Sequence, residues 1–381
     1  MRVKLNYDKF NKALSYTIKA VANKTNIPIL NNVLLETKNN GLVITTTNLE
    51  IAIQMWIPGI VDTEGSITVN ARFLTDFISA SKSDNVNLEI DGNILKVITN
   101  LSSGSFITMP SSDFPKTSLN HNILNIFSID KDTLISSIDK VSFACSNDFS
   151  IGKIQQTGIF IEKQDDFKIN IVGLDGFRLS LKTLEPLKIN KDVFEKGIII
   201  PAKYLVELVR ILEDYQEVDI VDFFIDDKKT LLIAKFEDTE FKIRLLEGEY
   251  PDFKRIMPKD KILSIEVNKK RLEDAIRIIN TFAKGTVSFK TNFDFDSVDS
   301  SIKLSAVVPE IGENQSVVPV NILLGDNNFL TAYNLRFLQD VISHIKGELV
   351  YIESNGPLAP TVIKDSSDTN FIHLLMPLRR E

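Results

Sequence analysis

The 381-residue sequence lacks the features of secreted and membrane-spanning proteins. Its one cysteine, Cys145, excludes an internal disulfide framework and indicates a reducing compartment. It has no run of about 18 apolar residues, the length that a transmembrane helix needs. The opening residues, MRVKLNYDKF, hold no apolar core of the signal-peptide type. We therefore expect a soluble cytoplasmic protein without a membrane partner.

Residues suited to catalysis are also scarce. The three histidines, His121, His344 and His373, are scattered, and none lies near a Gly-x-Ser-x-Gly elbow or a metal-spaced cluster. The chain contains no ATP-binding loop, and its many acids are dispersed as on a solvated surface. A hydrolase is the main enzymatic alternative, and catalytic turnover would support it. We expect no enzyme activity, no cofactor and no metal.

What the sequence does have is a pattern that occurs three times. Two alternating apolar residues, a small polar residue and then apolar residues at helical spacing indicate a strand that leads into an N-capped amphipathic helix. The three copies are Val3-Lys4-Leu5-Asn6 with Phe10, Ala13 and Leu14; Phe127-Ser128-Ile129-Asp130 with Leu134, Ser137 and Ile138; and Ile265-Glu266-Val267-Asn268 with Leu272, Ala275 and Ile276.

A second helical pattern follows each copy in the same order. It reads Arg72-Phe73-Leu74, Lys203-Tyr204-Leu205 and Arg336-Phe337-Leu338, and alternating strand patterns with turn signals fill the rest of each repeat. The sequence therefore predicts an α+β protein of three tandem like domains, each with two helices packed on antiparallel sheet. We place the domains at 1–123, 124–258 and 259–381.

Charge is divided between the predicted helices and the remainder. The six helical segments, 9–24, 71–82, 131–143, 202–213, 268–284 and 335–346, together carry +9, which leaves −16 on the rest of a chain of net charge −7. One interpretation is that Lys and Arg are good helix formers on solvated faces. The other is that the helices share a surface that faces a polyanion.

Several segments in this order resemble the bacterial DNA polymerase III β subunit family, the sliding clamps, over the whole length. They are NIPILNNVLLE at 26–36, TTTNLEIAI at 45–53, DGFRLS at 175–180, IPAKYLVELVRIL at 200–212, EGEYPDFKRIMP at 247–258 and MPLR at 376–379. The resemblance implies the DNA-clamp fold: a head-to-tail dimer of three-domain chains that forms a six-domain ring, lined by helices and with sheet outside.

The resemblance also implies a function. Such a ring encircles double-stranded DNA without sequence specificity, confers processivity on the replicative polymerase and has no catalytic activity, although relatives are sometimes catalogued with DNA-directed DNA polymerase as part of the holoenzyme. The implied partners are the DNA polymerase III α subunit, clamp-loader subunits that use ATP, other polymerases and repair proteins. A scaffold of the same repeats that does not bind nucleic acid is the alternative, and it predicts no retention on closed circular DNA.

The cations that we expect to face DNA lie on or beside the predicted helices. They are Lys12, Lys19, Lys24, Arg72, Lys203, Arg210, Lys270, Arg277 and Arg336. Phosphate contacts carry no sequence information, so a ring held this way slides, and we expect weak, salt-sensitive binding to linear DNA. Lys24 is singled out because its loop, before the IPIL strand, matches the family's DNA-touching loop.

A second site implied by the family is a pocket between the second and third domains for short peptides of the Gln-x-x-Leu-Phe kind. The matching positions are Leu174, Gly176, Phe177, Arg178, Leu179, Pro251, Arg255, Ile256, Pro360, Leu374, Met376, Pro377, Leu378 and Arg379. Apolar walls that include Met adapt to different anchors, and arginines hydrogen-bond a peptide backbone or acid. The bland alternative for MPLRR is a fraying tail.

This sequence departs from the family pattern inside that pocket. The usual Thr-Asp-Gly-His-Arg-Leu reads Leu-Asp-Gly-Phe-Arg-Leu at 174–179, and a pocket leucine aligns with Gln156. We expect peptide preference to shift toward more apolar anchors. For the dimer seam, the resemblance points to Phe106, Thr281 and Phe282, although Phe282 fits an ordinary core position equally well.

Overall fold

The computed structural model describes residues 1–22, 24–116, 122–190, 197–325 and 328–378. These residues form two compact units, which are taken one at a time below. The first unit comprises the described residues within Met1–Thr133, Pro186–Phe194 and Lys203–Leu245, and the second those within Leu134–Glu185, Glu195–Ala202 and Leu246–Glu381. The middle sequence repeat therefore contributes to both units.

The described residues form six α-helices and 25 strands. The helices are α1 (Tyr7–Thr17), α2 (Ala71–Ser81), α3 (Lys131–Ser142), α4 (Ala202–Glu213), α5 (Lys269–Ala283) and α6 (Leu335–His344). The first strands are β1 (Arg2–Asn6), β2 (Asn32–Thr37), β3 (Gly41–Thr47), β4 (Ile51–Thr63), β5 (Ser66–Asn70), β6 (Asn85–Asp91), β7 (Ile94–Ile98) and β8 (Ser103–Met109).

The middle and last repeats supply the remaining strands. The middle ones are β9 (Ile123–Asp130), β10 (Gly158–Lys163), β11 (Ile169–Leu174), β12 (Arg178–Leu184), β13 (Lys188–Ile189), β14 (Ile198–Pro201), β15 (Ile220–Asp226), β16 (Leu231–Phe236) and β17 (Thr239–Arg244). The last ones are β18 (Leu263–Asn268), β19 (Lys290–Asp296), β20 (Ser301–Val308), β21 (Gly312–Leu324), β22 (Phe329–Asn334), β23 (Leu349–Ser354), β24 (Thr361–Asp365) and β25 (Asp368–Leu375).

The three predicted strand-to-helix junctions are confirmed by their caps. Asn6, Asp130 and Asn268 end a strand, and the side-chain oxygen of each accepts a hydrogen bond from the backbone N–H three residues later, at 3.0, 2.8 and 3.1 Å. Such a cap satisfies one of the donors that the first helical turn leaves without a partner. Asn70 caps α2 in the same way.

Helix α1 is shorter than the predicted segment 9–24. It ends at Thr17, and a 3₁₀ turn over Ile18–Ala20 follows. The carbonyl of Thr17 accepts a hydrogen bond from the Thr46 hydroxyl on β3. A tertiary contact therefore takes a carbonyl that a continued helix would use for its own ladder.

The first unit contains one sheet of 13 strands, with the order β1-β6-β7-β8-β5-β2-β3-β4-β17-β16-β15-β9-β13. The pairings between its described strands are antiparallel, as predicted. Strands from the first and middle repeats join at β4 and β17, where Met55 lies opposite Thr239 and Ile51 opposite Ile243. Side chains at or near zero exposure, such as Phe10, Leu35 and Phe241, form its core.

The second unit contains a 12-stranded sheet, with the order β14-β10-β11-β12-β25-β24-β23-β18-β21-β20-β19-β22. Here β12 of the middle repeat pairs with β25 of the last repeat, and Leu179 lies opposite Leu374. The larger core lies beneath α5 and α6, where Leu272, Ile276 and Leu338 pack on strand residues such as Phe371. The opposite face of the sheet carries a second apolar cluster, and that face holds the candidate site.

Candidate functional site

The register of the second unit's sheet produces an apolar face across four strands. Directly opposed residues share a face of an antiparallel sheet. Leu174 lies opposite Leu179, Leu179 opposite Leu374, and Leu374 opposite Val362. With Val172 and Phe253 these residues form one cluster, here called the apolar floor. Every one of the six is at most 8% exposed, so the floor is a packed core rather than an open groove.

A segment between β17 and β18 covers the apolar floor. Phe253 inserts into it, and Tyr250 and Met257 pack against it. The Tyr250 ring stacks on Phe160 with centroids 4.8 Å apart, and its hydroxyl donates to the Val172 carbonyl at 3.3 Å. Burial raises the pKa of Tyr250 well above its ordinary value. The segment is thereby fixed on the face, and its next residues form one side of the site.

Exposed or half-exposed apolar side chains lie on the segments that adjoin the floor residues in the chain: the β11–β12 turn, the covering segment, the β23–β24 loop and the tail after β25. Phe177 is 59% exposed, Ile256 44% and Leu358 73%, while Met376 is half-buried. We call these four residues the apolar rim. Phe177 lies on the turn between β11 and β12, where Gly176 has a φ of +87° that favours glycine. The carbonyl of Phe177 accepts a 2.9 Å hydrogen bond from the Met376 N–H, so turn and tail are held together.

The Arg178 guanidinium already has partners within the protein. Its Nε lies 2.9 Å from Asp175 Oδ2, and its Nη1 lies 2.5 Å from Asp340 Oδ2. The guanidinium carbon lies 4.3 Å from the centre of the Phe337 ring, and the side chain is only 10% exposed. In this arrangement Arg178 positions the turn, because its Nε and Nη1 are held by two carboxylates within the protein.

The structure thus places six of the predicted pocket residues in two groups. Leu174, Leu179 and Leu374 lie in the floor, and Phe177, Ile256 and Met376 in the rim. The chain neighbours of these groups or of the covering segment include Gly176, Pro251, Arg255, Pro377 and Leu378, and Pro360 directly precedes β24. Arg255 is exposed and binds Asp252 at 2.8 Å, and the Leu378 N–H donates to the Ala332 carbonyl at 2.7 Å. Arg379 lies outside the described residues.

Four aromatic or branched side chains that complete the arrangement were missed. They are Val172 and Val362, which extend the floor, and Phe253 and Phe337. Strand alternation places Val172 on the same sheet face as Leu174, so the sequence pattern was sufficient to predict Val172 as a floor residue. Phe337 lies in the first turn of α6, and its ring stacks on Phe177 with centroids 6.3 Å apart. Helical periodicity assigns it no role beyond packing.

In the first unit, most of the predicted DNA-facing cations have neighbours that compensate their charge. Lys19 and Arg210 both lie 3.4 Å from Glu207, and Lys203 lies 3.0 Å from Glu50. Lys12 sits 4.4 Å from the centre of the Tyr215 ring. Lys24 is exposed and, among the residues that the structure describes, has no ion-pair partner. Arg72 is exposed on α2.

In the second unit, Lys270 and Arg277 project from α5 and share Asp274 as their acidic partner. The carbon of the Arg336 guanidinium lies 4.3 Å from the centre of the Phe289 ring. These helices therefore present cations, but acids at helical spacing offset much of their charge.

The residues predicted for a dimer seam are half-buried or exposed within each unit. In the first unit, Phe106 on β8 packs edge-on against Phe77, and the neighbouring Ile107 is 81% exposed. Residues 103–107 of β8 pair with β7, whereas the only described pairs with β5 are at 108 and 109. In the second unit, Thr281 is exposed at the end of α5, and Phe282 is half-buried against the core.

No group of three His, Cys, Asp or Glu side chains that could hold a metal occurs among the described residues. His121 lies outside them. His373 is fully buried with Nδ1 2.8 Å from the Ser180 hydroxyl, and burial lowers its pKa to about 3. Burial raises the pKa of the Cys145 thiol to about 12, which disfavours the thiolate. No described helix is long and apolar enough to cross a membrane.

Comparison with known proteins gives the same result in sequence and in structure. Three family models of the DNA polymerase III beta subunit match this chain. The N-terminal domain model matches residues 1–118, the central domain model residues 128–252 and the C-terminal domain model residues 254–379. The beta sliding clamps of Staphylococcus aureus strain Mu50 and Staphylococcus epidermidis are 25% and 26% identical, with 100% of this chain and 99% of each relative covered.

Solved structures share the fold over the full length. The beta subunit from DNA polymerase of Streptococcus pyogenes has a TM-score of 0.91 at 22% identity, and the DNA polymerase sliding clamp from Bacillus subtilis has 0.91 at 23%. In both comparisons 100% of each chain is covered. The three-domain α+β architecture is thereby confirmed.

Proposed function

Because this chain belongs to the DNA polymerase III beta subunit family, we propose that it acts as a clamp that closes around duplex DNA and tethers the replicative polymerase to it. The family is that of the non-catalytic sliding clamp subunit, so its role is processivity. The proposal includes a head-to-tail homodimer in the cytoplasm. Two chains of three domains supply the six domains of such a ring, and a heterologous contact closes when the rotation per chain completes a turn.

The proposed homodimer seam uses the surfaces that hold Phe106 on one chain and Thr281 with Phe282 on the other. The exposed Ile107 and the open β8 backbone around Phe106 support this choice, because an unpaired strand edge is a template for pairing with another chain. A second copy would cover apolar surface and satisfy backbone groups in one step. Sedimentation of the Phe106→Asp variant tests the seam, and an unchanged dimer would exclude this surface.

The proposed DNA contacts are the predicted cations on α1, α2, α4, α5 and α6, together with Lys19 on the 3₁₀ turn after α1 and Lys24. The positive charge that these cations present is smaller than their number, because Glu50, Glu207 and Asp274 form ion pairs with several of them. This balance suits a ring that holds DNA by topology and must slide, because strong phosphate binding would slow it. Retention on nicked circular DNA after loading, followed by release on linearisation, is the expected behaviour.

The second proposed activity is peptide docking at the apolar rim. The observation that carries it is the rim itself: Phe177, Ile256 and Leu358 are exposed, Met376 is half-buried, and the turn of Phe177 is hydrogen-bonded to the tail at Met376. Grooves of this kind take a short peptide with aromatic or leucine anchors, which supply most of the binding free energy. The polymerase α subunit, clamp-loader subunits, other polymerases and repair proteins are the partners that we propose to carry such peptides.

The test is a titration of a fluorescent Gln-x-x-Leu-Phe pentapeptide into the wild-type chain and a variant that lacks residues 376–381. We expect micromolar binding that the truncation abolishes, since it removes Met376 and the tail beside Phe177. A truncated protein of native circular dichroism serves as the folding control. Equal binding to both proteins would exclude the rim as the docking site.

A further inference from the structure

The face that carries the apolar floor changes character at its far end. On β24, Val362 belongs to the floor, and Lys364 two residues later shares its face. On the neighbouring β23, Glu353 lies opposite Val362. The same sheet face therefore runs from leucine and valine into charged side chains within one strand. Because the covering segment lies over the floor, a peptide docked at the rim would meet this face only at its charged end.

A cleft of about 260 Å³ opens at this change. The covering segment continues past the floor and forms one wall, and the ends of β23 and β24 form the other. Its lining residues are Pro258, Lys259, Asp260, Lys261, Glu353, Ser354, Asn355, Pro360, Val362 and Lys364. Val362 belongs to the floor as well, and Pro360 is one of the predicted pocket residues, so the cleft continues the docking site.

The charges in the cleft favour an anion. Glu353 binds Lys261 at 2.6 Å and Lys364 at 2.8 Å. Burial alone would raise the pKa of Glu353, but the interactions with Lys261 and Lys364 are stronger together. The net pKa is below its ordinary value, so the carboxylate stays ionised. Each ammonium has three N–H donors and spends one on this carboxylate. Lys259 is exposed and has no acidic partner within the described chain. Three lysines face two acids, Asp260 and Glu353, which leaves one positive charge.

We propose that this cleft binds a carboxylate carried by the docked peptide next to its apolar anchors. The inference rests on the proposed peptide docking at the rim and adds a charge preference to it. Lys259 supplies the unpaired cation, and Lys261 and Lys364 supply further N–H donors. The carboxylate comes either from an Asp or Glu side chain or from the peptide's own C-terminus. Because an extended chain advances roughly 3.3 Å per residue, the acid lies within a few residues of the anchor that it accompanies.

The experiment measures fluorescence anisotropy with the Gln-x-x-Leu-Phe core and matched extensions of it. Asp-Asp or Asn-Asn is added at either end, and each peptide is made with a free and with an amidated C-terminus. We expect one Asp-Asp position, or the free C-terminus, to bind about three- to tenfold more tightly than its neutral match at low salt. The gain should shrink as salt rises, because these charges are partly exposed.

Variants assign the gain to the cleft. In Lys259→Gln the ratio between acidic and neutral peptides should fall toward one, whereas Lys303→Gln, which changes a half-buried lysine that pairs with Asp294 outside the cleft, should keep the wild-type ratio. Lys259→Glu should reverse the preference and favour a Lys-Lys extension. Equal affinity for acidic and neutral peptides, with the core still bound, would overturn this inference alone. If the Gln-x-x-Leu-Phe core peptide does not bind the folded wild-type protein at all, the docking proposal itself is overturned.

Discussion

The ammonium of Lys140 on α3 lies 3.1 Å from the carboxylate of Asp365 at the end of β24, and both side chains are almost completely buried. Lys140 also binds Asp368 at 2.7 Å, and Lys182 binds the same Asp368. Two cations and two acids form a network that joins the middle repeat to the last repeat inside the second unit. Its charges balance, which is the condition under which buried ions are tolerated.

Removal of one ion from this network should be costly. We expect Lys140→Met to lower the free energy of unfolding by about 3 kcal/mol, since it leaves two buried carboxylates with one cation. Urea unfolding followed by circular dichroism measures the loss, and hydrogen exchange of β25 localises it to the second unit. In the double variant Lys140→Met/Asp368→Asn the cost should be smaller than the sum of the single costs. Strict additivity would mean that the two groups are not coupled.

Acid should weaken the same network. Burial alone would raise the pKa of Asp365, but hydrogen bonds from Ser367, the Lys346 backbone and Lys140 lower it to about 2. A carboxylate with a depressed pKa stabilises the fold above its unfolded value, near 4, and that contribution disappears as pH falls toward 2. We expect about 2 kcal/mol to be lost over this range. In Asp365→Asn the same stretch of the pH profile should be flatter, and a profile as steep as wild type would assign the acid sensitivity elsewhere.

The aromatic residue in the turn should determine peptide affinity. Phe177 is exposed and stacks on Phe337, so a docked anchor would bury both rings. We expect Phe177→Ala to weaken pentapeptide binding about fivefold to twentyfold, as for a partly buried phenylalanine at an interface. Phe167→Ala removes a ring of similar exposure, 71% against 59%, from the β10–β11 hairpin and is the matched control. Equal losses in the two variants would argue against a specific role for Phe177.

The features of this structure that depend on neighbouring residues could be predicted from the sequence. The caps at Asn6, Asp130 and Asn268 follow from residue type beside apolar periodicity, and the alternation in β11 places Leu174 and Val172 on one face. Contacts between distant residues were not readable in the same way. Asp340 reaches Arg178 from 162 positions away, and Glu50 reaches Lys203 from 153 positions away. Motif matching identifies the arginine or lysine, but only the folded structure shows which acid forms an ion pair with it.

The positioning role of Arg178 gives a further prediction. Lysine lacks the planar fork that binds Asp175 and Asp340 together and stacks on Phe337. We expect Arg178→Lys to cost about 1–3 kcal/mol of stability and to weaken pentapeptide binding, because the turn that carries Phe177 loses its support. Arg255→Lys changes an exposed arginine of the predicted pocket and serves as the comparison. Arg178 does not position the turn if Arg178→Lys leaves the free energy of unfolding unchanged and weakens peptide binding less than Arg255→Lys does.

One acid in the first unit should restrain DNA binding. The Glu207 carboxylate on α4 lies 3.4 Å from both Lys19 and Arg210, two of the cations proposed to meet phosphates. Glu207→Gln removes that compensation, so we expect linear duplex to bind about two- to fivefold more tightly at low salt and the dependence on salt to steepen. Glu213→Gln makes the same change of charge on the same helix and controls for net charge. Electrophoretic titrations across several salt concentrations measure both slopes. Identical slopes in the two variants would show that Lys19 and Arg210 do not contact phosphate, because freeing them would then add no counterion release beyond the change in net charge.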